Sequence, residues 1–274
     1  MTWDYWRSIE GSMKYPEYEG KWAVILGASS GFGAASSIEL AKAGLNIFGV
    51  HLDRKSTMAN VDKVREEIAK AGQKSEFFNI NAADESKRGE SLDKMKELAG
   101  AGSVKVLLHS LAFGALKPLI GEDTLSEAQM AMTINVMASS LVYWTQDTFK
   151  RDLFAEHAKV YAMTSSGSLR VWKSYGAVSA AKCALESNCR QLALELAPHK
   201  VYVNAIMAGV TDTPALRKIP GNVEMIEIAS KRNPSGRLTT PEDVGQALVA
   251  LSSNNCNFMT GNTIRIDGGE NIAD

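Results

Sequence analysis

Short apolar runs alternate with longer stretches of helical periodicity along most of the chain. The helical stretches include Gly31–Ala43, Met58–Ala71 and Pro241–Ser252. Seven runs rich in Val, Ile and Leu are predicted to be strands: Lys21–Gly27, Asn46–His51, Ser75–Ile80, Val104–Ser110, Lys159–Thr164, Val201–Ile206 and Thr263–Ile266. Because their apolar residues do not alternate with polar ones, these runs are typical of parallel strands that are covered on both faces. The pattern predicts one α/β domain with a Rossmann-type, doubly wound parallel sheet of seven strands.

Two segments do not follow this alternation. Residues 1–20 form an N-terminal extension to the domain over residues 21–274. The extension either packs against the body or a neighbouring subunit or is a frayed tail, and its aromatic residues are Trp3, Tyr5, Trp6, Tyr15 and Tyr18. The segment Thr211–Arg237 is broken by Pro214, Pro220, Gly221, Pro234 and Gly236. A long broken insertion after a strand is often a substrate lid, and a passive surface excursion is the alternative.

The charge balance and the cysteines exclude several classes of function. The chain has 30 Lys plus Arg and 31 Asp plus Glu, a net charge of −1, and so lacks the broad basic face that nucleic-acid binding needs. No apolar run approaches the roughly 20 residues that span a bilayer, and the first residues lack the apolar core of a signal peptide. Cys183, Cys189 and Cys256 fit neither a disulfide framework nor a metal site. We expect a cytoplasmic protein with reduced thiols.

A glycine-rich turn links the first predicted strand to the first predicted helix. It reads Gly27-Ala28-Ser29-Ser30-Gly31-Phe32-Gly33. Its glycines allow a tight turn and a close approach of a pyrophosphate to the backbone, and the amides at the helix N-terminus attract an anion. The turn predicts a dinucleotide site that includes Gly27, Ser29, Ser30, Gly31, Phe32 and Gly33. A glycine-rich turn without a ligand is the alternative, and the strand–helix context disfavours it.

The end of the second strand bears on which dinucleotide binds. His51 stands where NAD enzymes usually carry an acidic residue for the adenosine ribose, and Asp53 follows two residues later. Arg54 and Lys55 are suited to pair with a 2′-phosphate. These residues favour NADPH, with NADH also possible. A solvated charge cluster at a turn would explain the same residues.

Tyr175 and Lys182 are the candidate catalytic pair. They are seven residues apart in a helical pattern, so both can project from one face of the helix. They follow the fifth strand, at the sheet edge where open α/β sheets bind ligands. A cation near a phenol lowers its pKa from about 10, which would make Tyr175 a proton donor at a hydride-transfer site. Taken alone, a Tyr and a Lys on a helix are more often surface residues than not, but the position of this pair after the fifth strand favours the catalytic interpretation.

From about Lys21 to Gly269, the chain resembles the short-chain dehydrogenase/reductase superfamily. The superfamily usually has Tyr-x-x-x-Lys, whereas the spacing here, and the sequence His109-Ser110-Leu111-Ala112, resemble the enoyl-acyl-carrier-protein reductases. Many of those enzymes have a second tyrosine ten residues before the first, where this chain has Ser165. The FabL-type enoyl reductases, which use NADPH, combine the long spacing with such a serine. We regard the FabL type as the most similar subgroup.

The resemblance implies roles for further residues. Asn135 would support Lys182, or would merely satisfy a helix backbone group, and Thr213 would contact the cofactor or cap the helix ahead of Pro214. The resemblance also implies contacts with the cofactor. Asn81 and Ala82 would contact the adenine, and Leu111 and Ala112 would line the nicotinamide ribose. The carboxamide and pyrophosphate would be contacted by Gly209, Val210, Thr211 and Thr213. Relatives of this kind are commonly homotetramers, and we expect a homo-oligomer.

These features lead to one principal hypothesis and two alternatives. We expect an enoyl-thioester reductase of fatty acid synthesis, in which Tyr175 and Ser165 hydrogen-bond the thioester oxygen and Lys182 holds the nicotinamide ribose. The substrate would be an acyl thioester on acyl carrier protein, and the lid would cover it with Leu216, Ile219, Met225 and Ile226. A 3-oxoacyl or other carbonyl reductase is the first alternative. A dinucleotide-sensing protein without turnover is the second.

Overall fold

Seven parallel strands form one sheet in this computed structural model, which describes residues 15–273. Along the sheet their order is β3-β2-β1-β4-β5-β6-β7, as expected of a doubly wound α/β fold. The strands are β1 (Trp22–Leu26), β2 (Asn46–His51), β3 (Ser75–Asn79), β4 (Val104–His109), β5 (Phe154–Thr164), β6 (Tyr202–Ala208) and β7 (Thr263–Ile266). The predicted fold class is therefore confirmed. Strand β5 begins five residues before its predicted start at Lys159.

Eight α-helices cover the two faces of the sheet within the described part of the chain. They are α1 (Gly31–Lys42), α2 (Met58–Lys70), α3 (Glu85–Ala99), α4 (Glu127–Ile134), α5 (Ser140–Lys150), α6 (Gly176–Leu196), α7 (Asn222–Arg232) and α8 (Pro241–Leu251). Each face has its own apolar cluster, one around Trp144 and Leu185 and the other around Leu40 and Leu248. A π-helical turn, Asn135–Ser139, joins α4 to α5. The two-sided cover explains why strands β1, β2 and β4 are buried at every position.

The strand order fixes where a ligand can bind. The chain moves outward from β1 to β2 and β3, then returns to place β4 on the other side of β1. Because all strands are parallel, their carboxyl ends lie along one edge, and a crevice opens where the order reverses. The turn at Gly27 and the segment that starts at Ser110 follow the two central strands at this edge, and they are joined by the hydrogen bond from Ser110 N to Leu26 O at 2.9 Å.

Part of the N-terminal extension packs on the body of the domain. The Tyr18 side chain is fully buried, and its hydroxyl donates to Val249 O at 2.6 Å. The rings of Tyr15 and Tyr18 are stacked with their centroids 4.8 Å apart. The prediction that the extension packs against the body of the domain is therefore confirmed for Tyr18. The predictions for Trp3, Tyr5 and Trp6 concern residues outside the described range.

Within residues 15–273 no helix is long and apolar enough to cross a membrane. In the same range, no group of three or more His, Cys, Asp or Glu residues is arranged to hold a metal ion. Cys183, Cys189 and Cys256 are all free thiols.

Candidate active site

The glycine-rich turn has a backbone shape that other residues would disrupt. Gly27 has φ +90°, and a Cβ placed on it would lie 2.4 Å from Ser110 O. A Cβ on Gly33 would lie 2.1 Å from Gly27 O, so the first turn of α1 packs directly on the strand end. Gly27 N and Ala28 N both donate to Val50 O, at 2.8 and 3.1 Å. These contacts hold the turn against β2 and β4, with the N-terminus of α1 at its end.

Three predicted cofactor segments meet at this turn. A Cβ on Gly31 would lie 3.5 Å from Thr213 Cγ2, and one on Gly27 would lie 3.6 Å from Leu111 Cδ2. The turn after β1, the segment after β4 and the segment after β6 are therefore neighbours. Thr213 also accepts a hydrogen bond from Leu216 N at 3.2 Å, whereas Ala215 is the N-cap residue of the 3₁₀ turn that follows, so the alternative role of Thr213 as a helix cap stays a prediction. Thr211 is buried and its hydroxyl donates to Gly209 O at 2.9 Å.

At the end of β2, a carboxylate is held against the glycine-rich turn. Asp53 Oδ2 lies 3.0 Å from His51 Nδ1, and the His51 side chain is buried. Burial would raise the pKa of Asp53, but hydrogen bonds from the Thr57, Ser29 and His51 side chains outweigh burial and hold that pKa below its ordinary value. Sequence reasoning placed His51 at the ribose, whereas the structure brings Asp53 to Ser29 and uses His51 to hold Asp53.

Arg54 and Lys55 follow Asp53 directly and lie at the surface of the protein. Both are exposed, and within residues 15–273 neither has an ion-pair partner. A cleft of about 510 Å³ lies at the same end of β2 and β3, and it is lined by Leu52, Phe78, Asn79, Ile80, Asn81, Lys87, Glu90 and Ser91. Asn81 is exposed at this cleft, whereas Ala82 is buried and its carbonyl accepts from Trp144 Nε1 at 2.8 Å. Of the two residues predicted to contact the adenine, Asn81 lines this cleft and Ala82 does not.

Tyr175 and Ser165 approach each other beyond the end of β5. The Ser165 Oγ and Tyr175 hydroxyl oxygens are 3.5 Å apart. The phenol ring lies against Gly167, where a Cβ would be 2.5 Å from Tyr175 Cε1. Burial raises the pKa of Tyr175, and the hydrogen bond with Ser165 only partly offsets that rise. The expected lowering of this pKa by Lys182 is therefore wrong: burial is the largest influence on the phenol, and Lys182 is not among the groups that shift its pKa.

Lys182 lies inside the protein on α6. Its side chain donates to Met163 O at 2.7 Å, and the residue is 5% exposed. Burial lowers the pKa of Lys182 to about 8, because the charged form loses its hydration. The ammonium is thus held by the backbone of β5 and is poised to lose its proton within an ordinary pH range.

His109, at the end of β4, is a buried neighbour that sequence reasoning used only as a family marker. Its Nε2 lies 2.8 Å from Ser140 Oγ, and the Ser140 hydroxyl donates to Val136 O at 2.7 Å. Burial first, and the Lys182 charge second, lower the pKa of His109 to about 3, so the ring is neutral. Asn135 opens the π-helical turn and is exposed, and its support of Lys182 stays a prediction.

The loop after β6 is anchored by Glu270, a residue that no motif in the sequence singles out. Val210 N donates to Glu270 Oε2 at 2.8 Å, and Glu270 is 5% exposed. Burial raises the pKa of this carboxyl, with the Val210 hydrogen bond and the charge of Arg232 opposing the rise. Glu270 therefore fixes the backbone beside Gly209, the first of the predicted carboxamide residues.

The insertion 211–237 contains a short 3₁₀ turn, Leu216–Lys218, followed by α7. Leu216 and Ile219 are each 9% exposed and so leave little open apolar surface, and their expected contact with an acyl chain stays a prediction. They pack inward because the turn folds back on Thr213. Met225 and Ile226 are half-buried.

Residues 27–271 match the family model described as enoyl-(acyl carrier protein) reductase. The chain belongs to this family. It is therefore an oxidoreductase of the short-chain dehydrogenase/reductase superfamily, which confirms the resemblance drawn from the glycine turn and the tyrosine–lysine spacing. Its similarity to the FabL subgroup stays a prediction.

Individual relatives differ in their reactions. The chain is 33% identical over 174 residues to the enoyl-[acyl-carrier-protein] reductase [NADH] FabI of Aquifex aeolicus, a match that spans 62% of this chain and 63% of that protein. It is 26% identical over 251 residues to the 3-oxoacyl-[acyl-carrier-protein] reductase FabG of Thermotoga maritima, over 92% of this chain and 98% of that protein. The crystal structure of the Aquifex aeolicus enoyl reductase has the same fold, with a TM-score of 0.80 at 23% identity over 93% of this chain and 98% of that one. The reaction must be inferred from the site itself.

Proposed function

We propose that the protein is an NADPH-dependent enoyl-thioester reductase of fatty acid synthesis. The observation that carries this proposal is the arrangement around Tyr175, whose hydroxyl faces Ser165 at 3.5 Å while the buried Lys182 lies two helical turns further along α6. The seven-residue spacing resembles that of the enoyl reductases, and the family match supports it.

A nicotinamide dinucleotide fits the residues at the sheet edge. The glycine turn leaves no room for side chains at Gly27 and Gly33, and the free amides of α1 suit a pyrophosphate. Three protein groups already donate to Asp53, whereas Arg54 and Lys55 are exposed cations without an ion-pair partner in residues 15–273. These two free charges favour a 2′-phosphate and hence NADPH, with NADH as a weaker cofactor.

The chain's own groups provide what the reaction needs around the bound cofactor. When bound, the dinucleotide supplies the hydride for the β-carbon of a trans-2-enoyl thioester. Tyr175 keeps its proton, because burial raises its pKa, and it donates a hydrogen bond to the thioester oxygen as enolate charge develops there. Ser165 gives a second donor to the same oxygen, and Lys182 binds the ribose hydroxyls. The enolate then takes up one proton from solvent at its α-carbon, which completes the reduction.

Apolar side chains around the entrance support an acyl substrate. Phe113, Leu119 and Ile120 follow β4, and they are 63, 54 and 89% exposed. Leu119 lies over the start of α6, where a Cβ on Gly176 would be 3.0 Å from it. The apolar side chain of Leu119, beside the residue that follows Tyr175, suits contact with an acyl chain. Delivery by acyl carrier protein, a homotetrameric assembly and a cytoplasmic location are part of the same proposal, and they rest on the family resemblance.

A 3-oxoacyl reductase is the second candidate, and one observation favours it. The group that faces the Tyr175 hydroxyl is a serine, which in carbonyl reductases of this superfamily orients the ketone, and the Thermotoga maritima relative carries that name. A dinucleotide sensor without turnover is disfavoured because such proteins tend to lose the tyrosine or the lysine, and Tyr175 and Lys182 are both present here.

One paired assay decides between these candidates. Purified protein is mixed with crotonyl or acetoacetyl thioester, with NADPH or NADH in each case, and oxidation of the dinucleotide is followed by absorbance. We expect turnover of the crotonyl thioester with NADPH. Turnover of the acetoacetyl thioester alone would establish the carbonyl reductase, and dinucleotide binding without any turnover would establish the sensor.

A further inference from the structure

Trp172 contacts both the catalytic segment and the insertion 211–237. It lies between Ser165 and Tyr175 in the loop that joins β5 to α6. Its indole Nε1 donates to Pro220 O at 2.8 Å, and its own carbonyl accepts from Tyr175 N at 3.1 Å. A single residue therefore holds the backbone of the candidate proton donor at one end and the insertion at the other.

The contact on the insertion is close and directional. Gly221 precedes α7 with φ +79°, and a Cβ placed on it would lie 3.1 Å from Trp172 Cζ2. A side chain here would strain the backbone and crowd the indole. The Asn222 side chain donates to Ile219 O at 2.9 Å, which closes the turn in front of α7. Because this turn is internally bonded, a movement of α7 carries the Pro220 carbonyl with it.

The contact on the catalytic side is equally constrained. Ser174, immediately before Tyr175, has φ +62°, in the left-handed region that a residue with a side chain adopts at a cost. The Tyr175 ring lies on Gly167, and the Ser179 hydroxyl donates to Gly167 O at 2.6 Å. The four residues from Trp172 to Tyr175 thus form a tight turn with little freedom to absorb a displacement.

We propose that Trp172 is a positioning residue that links the position of α7 to the position of the Tyr175 phenol. With the indole bonded to Pro220, the insertion lies against the catalytic loop and the phenol stays opposite Ser165. Without that bond the insertion opens and the phenol shifts independently of it. This inference rests on the proposed role of Tyr175 in thioester reduction, and it assigns the insertion a function in turnover beyond covering the substrate.

The test compares Trp172→Phe, which keeps an apolar ring and removes the N–H donor, with Lys173→Ala at an exposed neighbouring position in the same loop. We expect Trp172→Phe to lower kcat about tenfold, the effect of one lost hydrogen bond, and to raise the KM for the thioester. The affinity for NADPH, measured by fluorescence titration, should change less than about twofold. Lys173→Ala should behave as wild type.

A second readout does not depend on which thioester is the substrate. Arg217, Lys218 and Lys231 are exposed trypsin sites in the insertion. Trypsin should cut there faster in Trp172→Phe than in wild type or Lys173→Ala. Gly221→Ala, which disturbs the same contact from the other side, should reproduce both the kinetic and the proteolytic changes.

The outcomes separate this inference from the proposed function. Preference of the wild type for acetoacetyl thioester would reject enoyl reduction, and the effect of Trp172→Phe would then be measured on that substrate. Unchanged kcat, KM and cleavage rate in both Trp172→Phe and Gly221→Ala would overturn the positioning role. Faster cleavage with unchanged kinetics would overturn it as well, since the insertion would then be uncoupled from the phenol.

Discussion

The titration of Lys182 gives the sharpest quantitative prediction about the site. Burial lowers the pKa of this side chain to about 8. The ammonium should therefore be about nine-tenths protonated at pH 7 and about one-tenth protonated at pH 9. If the charged form is the one that binds the nicotinamide ribose, the affinity for NADPH falls about tenfold as the pH rises through this range. Tyr175 should add no second step to this pH profile, because burial raises its pKa.

The assay is a fluorescence titration of NADPH binding from about pH 6 to about pH 10. The wild type should show a decline with a midpoint near the pKa of Lys182. Lys182→Met, which keeps most of the side-chain volume and removes the charge, should bind weakly and without that decline. Lys173→Ala, with the exposed lysine of the same region removed, is the control and should follow the wild type. A flat wild-type profile, or the same decline in Lys182→Met, would refute the reasoning.

Three further predictions test other parts of the account. Tyr175→Phe should lose about 10²–10⁴-fold in turnover, the range for a lost acid–base group, with NADPH affinity retained; wild-type turnover would contradict its role. Arg54→Ala should raise the KM for NADPH about tenfold and leave NADH nearly unaffected, and equal effects would mean a mere surface charge. Lys105 and Lys159 are buried with pKa values lowered to about 8. Above that pH the unfolded chain binds more protons than the folded one, so this pair should add about 2 kcal/mol of stability between about pH 8 and pH 9; a urea midpoint that fails to rise would contradict it.

The features that the sequence predicts well are those encoded by local spacing. Gly27 and Gly33 belong to one turn between a strand and a helix, and their steric roles follow from that context alone. The helical pattern correctly places Lys182 on a helix, α6, whereas Tyr175 is the N-cap residue directly before that helix, so a shared helix face for the two stays a prediction. Strand β5 was predicted too short because Glu156 and His157 interrupt its apolar run, although the backbone remains in the sheet.

The features that the sequence does not predict depend on distant contacts. Glu270 meets Val210 across 60 residues, and no motif relates the two. The pKa of Tyr175 depends on how deeply the loop buries the ring, which neighbouring residues do not determine. Leu216 and Ile219 are apolar, which suits either a lid that contacts substrate or a turn that packs on the protein. Their burial in a packed turn depends on the contact of that turn with Thr213, which the local sequence does not predict.

A structure of the complex with NADP⁺ would test the central claim most directly. With the pyrophosphate at the turn after β1, the account predicts that the nicotinamide ribose lies within hydrogen-bond reach of Lys182 Nζ and the Tyr175 hydroxyl, beside Ser165. A complex in which the nicotinamide ring lies away from these three side chains would contradict it.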